Sequence, residues 1–259
     1  MEIPTKAYVL KNPNYLLLLL GTIVSHFGAG FYNFAVSFYI LKITGNNAFM
    51  QGVFLAVSGA VFVLMSPIGG VLADKWNKVK IIYGTDYIKG ITVILAGLLI
   101  YLSRESAQVI ILFITAIIFN VVGAVFSPAA GSVIKFIVKE NEYQQATSYM
   151  NSADSLLAIV SAVLAGILYS LLSIYVLFFI VGITYILSAI SEMFIKYHYI
   201  PNDKPVTLSY IFNDFKEGFN YLLTKKALFS ISIGALFANF FISPIFNSFP
   251  FFISTYVHG

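Results

Sequence analysis

The sequence predicts an all-α, polytopic membrane protein, and two observations support that fold class. Of the 259 residues, 59% are hydrophobic and only 10% are charged, whereas a soluble domain has about 25% charged residues. Runs without Asp, Glu, Lys or Arg also exceed the 18 residues that mark a candidate transmembrane helix. These runs cover residues 15–41, 50–73, 107–134 and 227–257. The sequence therefore predicts at least four membrane-spanning helices.

Two further segments raise the predicted number of spans to seven. Residues 81–103 are apolar apart from two charges, and residues 143–195 are long enough for two helices with a break near 170–173. The polar stretch that follows places apolar residues at helical spacing, which predicts an amphipathic helix on the inner membrane surface or a solvated connector. We therefore divide the chain into a six-helix transmembrane bundle (1–197), a cytoplasmic linker (198–226) and a seventh transmembrane helix (227–259).

The basic residues are distributed unevenly between the two predicted sides of the membrane. With a cytoplasmic N-terminus, twelve lysines fall in inner segments, and only Lys42 and Arg104 fall in outer ones. This imbalance predicts that orientation by the positive-inside rule. It also accounts for the net charge of +4 without nucleic acid. We expect an integral protein of a bacterial-type cytoplasmic membrane that contacts lipids and has a cytoplasmic N-terminus.

Composition argues against several chemistries. The chain has no cysteine, and its histidines, His26, His198 and His258, are scattered, which argues against disulfides, thiol catalysis and a metal site. No paired carboxylates, HExxH or nucleophile motif occurs in any predicted span, and the seventh span has no lysine that could hold retinal. We expect no cofactor and no enzyme. A transporter is favoured, and a seven-helix receptor or a non-transporting membrane protein is the alternative.

Small residues recur at intervals of four in three of the predicted spans. Such stripes let helices approach closely in lipid, where hydrophobicity gives little driving force for association. We therefore expect them at helix–helix interfaces within the bundle. The stripes are Gly52, Ala56 and Ala60; Gly123, Ser127 and Gly131; and Ala158, Ala162 and Gly166.

Charged residues inside the predicted spans need a partner, a proton or water. An ionised side chain at the bilayer centre costs at least about 2.5–3.5 kcal/mol. Asp86 and Lys89 are three residues apart on one helical face, near the cytoplasmic end of the third span where water is close. We therefore expect them to pair, and both are candidates for proton coupling. Glu192 lies near the inner end of the sixth span with Lys196 four residues later, which predicts an interfacial role and makes Glu192 a secondary candidate for proton coupling.

Asp154 is the main candidate for proton coupling. It lies about two turns into the fifth predicted span and has no basic residue within four positions. We expect its carboxyl group to face protein or a cavity, where it would take up a proton from one side and release it to the other. The alternative is a protonated or hydrogen-bonded side chain near the headgroups. The residues expected to line a substrate cavity with Asp154 are His26, Tyr32, Asn33 and Asn120.

The turn between the second and third spans resembles a known family motif. Residues 70–80 read Gly-Val-Leu-Ala-Asp-Lys-Trp-Asn-Lys-Val-Lys. This stretch resembles the signature loop of the major facilitator superfamily: a glycine, three residues, Asp, a basic residue, two residues and further basic residues. Segments 25–30, 42–45, 127–130 and 145–151, together with Asp86 and Lys89, look like the macrolide-efflux and enterobactin-exporter branch. The resemblance covers essentially the whole chain.

The resemblance implies a proton-coupled efflux antiporter that exports drugs or secreted small molecules by alternating access. In the family, the signature loop holds the two halves of the transporter together in the outward-open state. The residues that this role assigns to the gating loop are Gly70, Asp74, Lys75, Lys78 and Lys80. We expect Gly70 to allow close backbone approach, and Lys75 and Lys78 to face the second helix's C-terminal dipole and anionic lipid.

The resemblance also implies a partner, and the chain departs from the family pattern at two positions. The family has twelve helices in two six-helix halves with the substrate between them, so we expect a second half, of which five helices are missing here. Many relatives have an acidic residue where this chain has Ala29, and Asn77 replaces the usual second glycine of the loop. The first departure argues against a proton site on the first helix.

Overall fold

The computed structural model describes residues 9–199 and 208–252, and within these ranges the regular structure is entirely helical. This confirms the predicted all-α fold class. The helices are α1 (Pro13–Ile43), α2 (Ala48–Lys75), α3 (Lys78–Leu102), α4 (Glu105–Ile137), α5 (Tyr143–Leu171), α6 (Ile174–Met193), α7 (Leu208–Thr224) and α8 (Lys226–Phe252). Single 3-10 turns precede α1 and α5.

Helices α1 to α6 are each long and apolar enough to cross a membrane. A seventh crossing is counted only when α7 and the start of α8 are taken together across a bend of 102°. The seventh predicted segment is therefore helical, but residues 253–257 of that prediction lie outside the described ranges. The division at 197 and 226 stays a prediction.

Three asparagines fix where the first three helices begin. The side chain of Asn12 accepts hydrogen bonds from the backbone N–H groups of Asn14 and Tyr15, at 3.0 and 3.3 Å. Asn47 and Asn77 cap α2 and α3 in the same way. Such caps satisfy backbone donors that have no partner within the helix. Asn77 stands where the family pattern has a glycine, and here it serves as the α3 cap.

Helices α3 and α6 pack closely along most of their length. Glycines make this possible, because a Cβ atom at Gly90 would lie 3.0 Å from the carbonyl oxygen of Gly182. About two helical turns further along α3, a Cβ atom at Gly97 would lie 3.0 Å from Cβ of Phe178. Small residues in membrane helices let backbones approach in this way. The α3–α6 pair is therefore closely packed within the bundle.

Helix α1 contacts both α6 and α5 and so lies between two sides of the bundle. Two buried apolar clusters surround it. One, near the α2–α3 turn, includes Tyr15 and Leu18, and the other, toward the opposite end, includes Phe31 and Val36. Between them lies a polar layer, which we define by the buried residues Thr22, Ser25, Thr85, Asp86, Lys89, Ser188 and Glu192. The candidate site is in and beside this layer.

The three small-residue stripes pack within the bundle only in part. Gly166 lies against Phe34 of α1 and Gly123 faces Phe62 of α2. The other members are exposed in the described structure: Gly52, Ala56, Ala60, Ser127, Gly131, Ala158 and Ala162. Closer contacts are made by glycines outside the stripes, because Gly28 lies against Thr184, Gly30 against Ser161, and Gly69 against the backbone of Ala124. Spacing alone identifies a face of small residues but not which element covers it, so the prediction was wrong for the exposed members.

Candidate functional site

Asp154 on α5 is paired with His26 on α1. The Nδ1 atom of His26 lies 2.7 Å from Oδ1 of Asp154, and the two side chains are 38% and 43% exposed. Asp154 has no basic neighbour in its own helix, so its partner comes from a residue 128 positions earlier in the chain. A carboxylate and an imidazole at this distance form a direct hydrogen bond between α1 and α5. The sequence placed His26 beside Asp154 in one cavity, and the structure adds a direct contact between the two side chains.

The His26–Asp154 pair opens into a cavity of about 310 Å³ between α1, α4 and α5. The cavity has both apolar and polar walls, and it is not closed off from the surface. A partly exposed acid at its edge can therefore meet both water and a bound molecule. The remaining lining residues are Thr22, Phe126, Ser127, Ala130, Gly131, Ile134, Tyr143, Thr147, Met150 and Asn151.

The other three residues proposed for the cavity do not line it. Tyr32 is buried in the apolar cluster at the far end, where its ring stacks on Phe119 with centroids 4.3 Å apart. Asn33 is exposed, and Asn120 donates a hydrogen bond of 2.8 Å to the carbonyl of Ala116 in its own helix. Tyr32 lies six residues after His26 in α1, which places the two residues on different faces of the helix. For these three residues the predicted location was wrong.

Asp86 and Lys89 form the pair that their spacing predicts. Nζ of Lys89 lies 3.7 Å from Oδ1 of Asp86. Lys89 also sits over two aromatic rings, 4.4 Å from the centroid of Phe126 and 5.4 Å from that of Tyr185. Ring faces attract a cation, so these contacts stabilise the buried ammonium group. From its position in the span, the pair was expected to lie near water. It lies instead inside the bundle, so that expectation was wrong.

Glu192 is also placed differently from the prediction. Its side chain is 0% exposed and lies against Gly21 of α1. Helix α6 ends at Met193, and Lys196 lies beyond that end, exposed, with its backbone N–H bonded to the side chain of Asn14 at 2.9 Å. The interfacial pairing with Lys196 is therefore wrong, because Glu192 points toward the interior and not along its own helix.

The gating-loop residues lie at the α2–α3 turn, with different environments. Asp74 is 79% exposed, and its Oδ1 atom lies 3.9 Å from Nζ of Lys78. Nζ of Lys78 also donates a hydrogen bond to the carbonyl of Ala73 near the end of α2, and lies 5.7 Å from the ring centroid of Phe136. A cation at this position satisfies a terminal carbonyl and opposes the helix dipole. Lys78 therefore ties the end of α2 to the start of α3.

Two expectations about this loop need correction. Lys75 and Lys78 are buried, so that of the three loop lysines only Lys80 is exposed. Lipid headgroup contact is therefore open to Lys80 alone. A Cβ atom at Gly70 would meet open space, whereas one at Gly69 would collide with the backbone of Ala124 on α4. The close approach thus belongs to Gly69, one residue earlier.

The segment after α6 also holds the α2–α3 turn, which the sequence analysis missed. The hydroxyl of Tyr199 donates to the backbone carbonyl of Lys75, and the N–H of Lys78 donates to the hydroxyl oxygen of Tyr197 at 3.3 Å. Burial raises the pKa of the Tyr197 phenol above its ordinary value. The repeated tyrosines of 197–199 are the only sequence signal for this contact.

Comparisons with known proteins identify the fold that contains the polar layer and the gating loop. The model of the Major Facilitator Superfamily matches residues 18–259. The chain belongs to the major facilitator superfamily. This agrees with the resemblance of the α2–α3 turn to the superfamily's signature loop.

Curated members of the superfamily match along most of the chain. It is 24% identical over 261 residues to the uncharacterized MFS-type transporter YkuC of Bacillus subtilis, covering 96% of this chain and 58% of that protein. It is 25% identical over 244 residues to macrolide efflux protein A of Streptococcus pyogenes, covering 92% and 58%. The chain thus spans less than two thirds of the length of the curated relatives it matches.

A solved transporter structure shares the fold. The inward-facing, unoccupied bacterial homolog of the human lysosomal transporter Spinster superposes with a TM-score of 0.67 at 18% sequence identity. The match covers 94% of this chain and 56% of that one. Membership and fold establish an integral membrane protein of the bacterial plasma membrane.

Proposed function

We propose that this chain supplies one half of a secondary active transporter that exports small amphipathic molecules in exchange for protons. The observation that carries the proposal is the His26–Asp154 pair, 2.7 Å apart at the edge of a cavity of about 310 Å³. A carboxyl group that is accessible from a cavity, and shared between two helices, has the placement that a coupling group needs. The proton is the proposed coupling ion.

Proton binding at Asp154 would change the α1–α5 contact directly. With Asp154 ionised, a protonated His26 holds the two helices together by a charge-assisted hydrogen bond. With Asp154 neutral, that attraction is lost and the helices are freer to move apart. One proton crossing the membrane supplies about 2.3 kcal/mol per 100 mV, which supports roughly a fiftyfold substrate gradient.

The cavity lining indicates the class of substrate. Phe126, Met150 and Ile134 give an apolar wall, and Thr147 and Asn151 add polar groups. Pockets of this kind bind molecules that are largely apolar with a few fixed polar contacts. One relative is named for macrolide efflux, and we extend an efflux role of that kind to this chain as part of the proposal.

A second half of the fold is the proposed partner of the exposed small-residue faces. Gly52 and Ala56 on α2, and Ala158 and Ala162 on α5, are exposed in the described structure. Small residues favour close helix approach, and superfamily substrates bind between two halves. We therefore assign these faces to contacts with a second six-helix half. The gating role of Asp74 and its loop lysines belongs to the same proposal, as does the cytoplasmic N-terminus.

Transport across vesicles with an imposed pH gradient tests the proposal. The protein, in the form its cell produces, is reconstituted with a pH-sensitive dye inside, and the flux of a macrolide and of a lipophilic cationic dye is followed. We expect Asp154→Asn to abolish proton-driven flux, and Glu140→Gln, an exposed acid outside the site, to leave it unchanged. Full flux in Asp154→Asn would remove the coupling role from that residue.

The alternative is a receptor or another membrane protein that does not transport. It shares the helices but has no need of a proton-accessible acid beside a cavity. Binding of the same probes without proton movement, in wild type and in the Glu140→Gln control alike, would favour this alternative.

A further inference from the structure

Three ionisable side chains of the polar layer interact electrostatically with one another and do not line the His26–Asp154 cavity. Asp86 and Lys89 on α3 and Glu192 on α6 are 0%, 9% and 0% exposed. A Cβ atom at Gly21 of α1 would lie 2.8 Å from Cγ and 2.9 Å from Oε1 of Glu192, so α1 packs directly against this carboxyl group. Water therefore has no open route to the Glu192 carboxyl group in this conformation.

The charges of these three groups do not balance. Lys89 lies 3.7 Å from Asp86 and so neutralises that carboxylate. Both oxygens of Glu192 and both of Asp86 lack a hydrogen-bond partner among the described residues. An ionised, unpaired carboxylate in such a place costs several kcal/mol. One cation cannot offset two anions, which leaves one negative charge over.

The neighbouring titratable groups do not supply the missing positive charge. On α1, His26 is engaged with Asp154 at 2.7 Å, so any proton on its ring is matched by that carboxylate. On α6, Tyr185 offers only a phenol and a ring face to Lys89. The packing aromatic from α4, Phe126, has no charge. The nearby hydroxyl of Ser188 is committed to the carbonyl of Gly21 at 2.8 Å.

We propose that Glu192 is a buried proton-binding site, whose carboxyl group holds a proton at neutral pH while Asp86 stays ionised beside Lys89. This site is distinct from Asp154, which is partly exposed and faces a cavity. A bound proton removes the surplus negative charge and converts one buried acceptor into a donor. The proposal concerns the resting protein and stands whether or not the protein transports.

Infrared spectroscopy of the protein in lipid vesicles tests this assignment. A protonated carboxyl group has a carbonyl stretch that a carboxylate lacks, and that shifts in heavy water. We expect the wild type to show this band at neutral pH and Glu192→Gln to lose it. Glu140→Gln is the control and should keep it. Asp154→Asn should also keep the Glu192 band, even where it abolishes transport, which separates this proposal from the coupling role of Asp154.

Two charge variants at the partner residues give a second, independent readout. In Asp86→Asn, Glu192 becomes the only counterion for Lys89, so it should ionise and the band should disappear. In Lys89→Met, both acids lose their cation, so both should be protonated and the band should grow about twofold. A band that is unchanged in Glu192→Gln, or one that does not grow in Lys89→Met, overturns the proposal.

Discussion

Gly69 of α2 lies against the backbone carbonyl of Ala124 on α4, whereas its neighbour Gly70 faces open space. The contact is between backbones, so a side chain at position 69 cannot be accommodated by a rotamer change. The α2–α4 packing thus depends on one particular glycine of the Gly69–Gly70 pair.

Replacing Gly69 should therefore destabilise the bundle, and replacing Gly70 should not. We expect Gly69→Ala to lower the free energy of unfolding by about 1–3 kcal/mol, since a forced backbone shift in a packed interface has that cost. Gly70→Ala is the matched control and should unfold at the wild-type temperature or slightly above it, because alanine favours the helix. Thermal unfolding in detergent measures both. Equal effects of the two variants would contradict the α2–α4 contact.

His26 and Asp154 should behave as one unit in transport. We expect His26→Gln to reduce proton-driven flux, and the double variant with Asp154→Asn to be no worse than Asp154→Asn alone, because residues in one network are not additive. Initial rates in vesicles with a pH gradient measure this. The pair is partly exposed, so unfolding temperatures should change little. Wild-type flux in His26→Gln would mean that Asp154 acts without His26.

Lys78 should matter more for stability than Lys80. Nζ of Lys78 donates to the Ala73 carbonyl, while Lys80 is exposed. We expect Lys78→Met to lower the free energy of unfolding by about 1.5–3 kcal/mol, the range for hydrogen bonds to charged groups, and Lys80→Met to change it by under about 0.5 kcal/mol. Chemical denaturation in detergent distinguishes them. A larger effect at Lys80 would refute the role given to Lys78.

Tyr197 should make the fold sensitive to alkaline pH. Burial raises the pKa of its phenol in the folded protein, so its contribution to stability is complete below the unfolded value of about 10 and is lost as pH rises through the folded value. Tyr197→Phe should therefore lose less stability than wild type over that rise. Tyr221→Phe, on an exposed face of α7, is the control. If the free energy of unfolding fell equally with rising pH in wild type and in Tyr197→Phe, this contribution would be excluded.

The orientation can be tested cleanly because the chain has no cysteine. Arg104 and Asn141 are both exposed and flank α4, with Arg104 directly before its first residue and Asn141 in the 3-10 turn after its last. With a cytoplasmic N-terminus, an impermeant thiol reagent should label Arg104→Cys in intact cells and Asn141→Cys only after the membrane is permeabilised. The reverse pattern would invert the topology.

The sequence predicted the helices well because membrane spans depend on local apolar length, which can be read residue by residue. It also predicted the Asp86–Lys89 pair, since both residues lie on one helix face. It did not predict the packing of Glu192 against Gly21 or the direct contact of Asp154 with His26, because both involve α1 and depend on how the helices pack. The exposed stripes show the same limit: a face of small residues is local, but the surface that covers it is not.

The tyrosine contacts at 197 and 199 have a mechanical consequence. The chain leaving α6 is fastened beneath the turn between α2 and α3, through the backbone of Lys75 and Lys78. A displacement of the residues downstream of Tyr199 would therefore act on that turn before it acted on the end of α6. These two hydrogen bonds thus connect the chain after α6 directly to the signature loop.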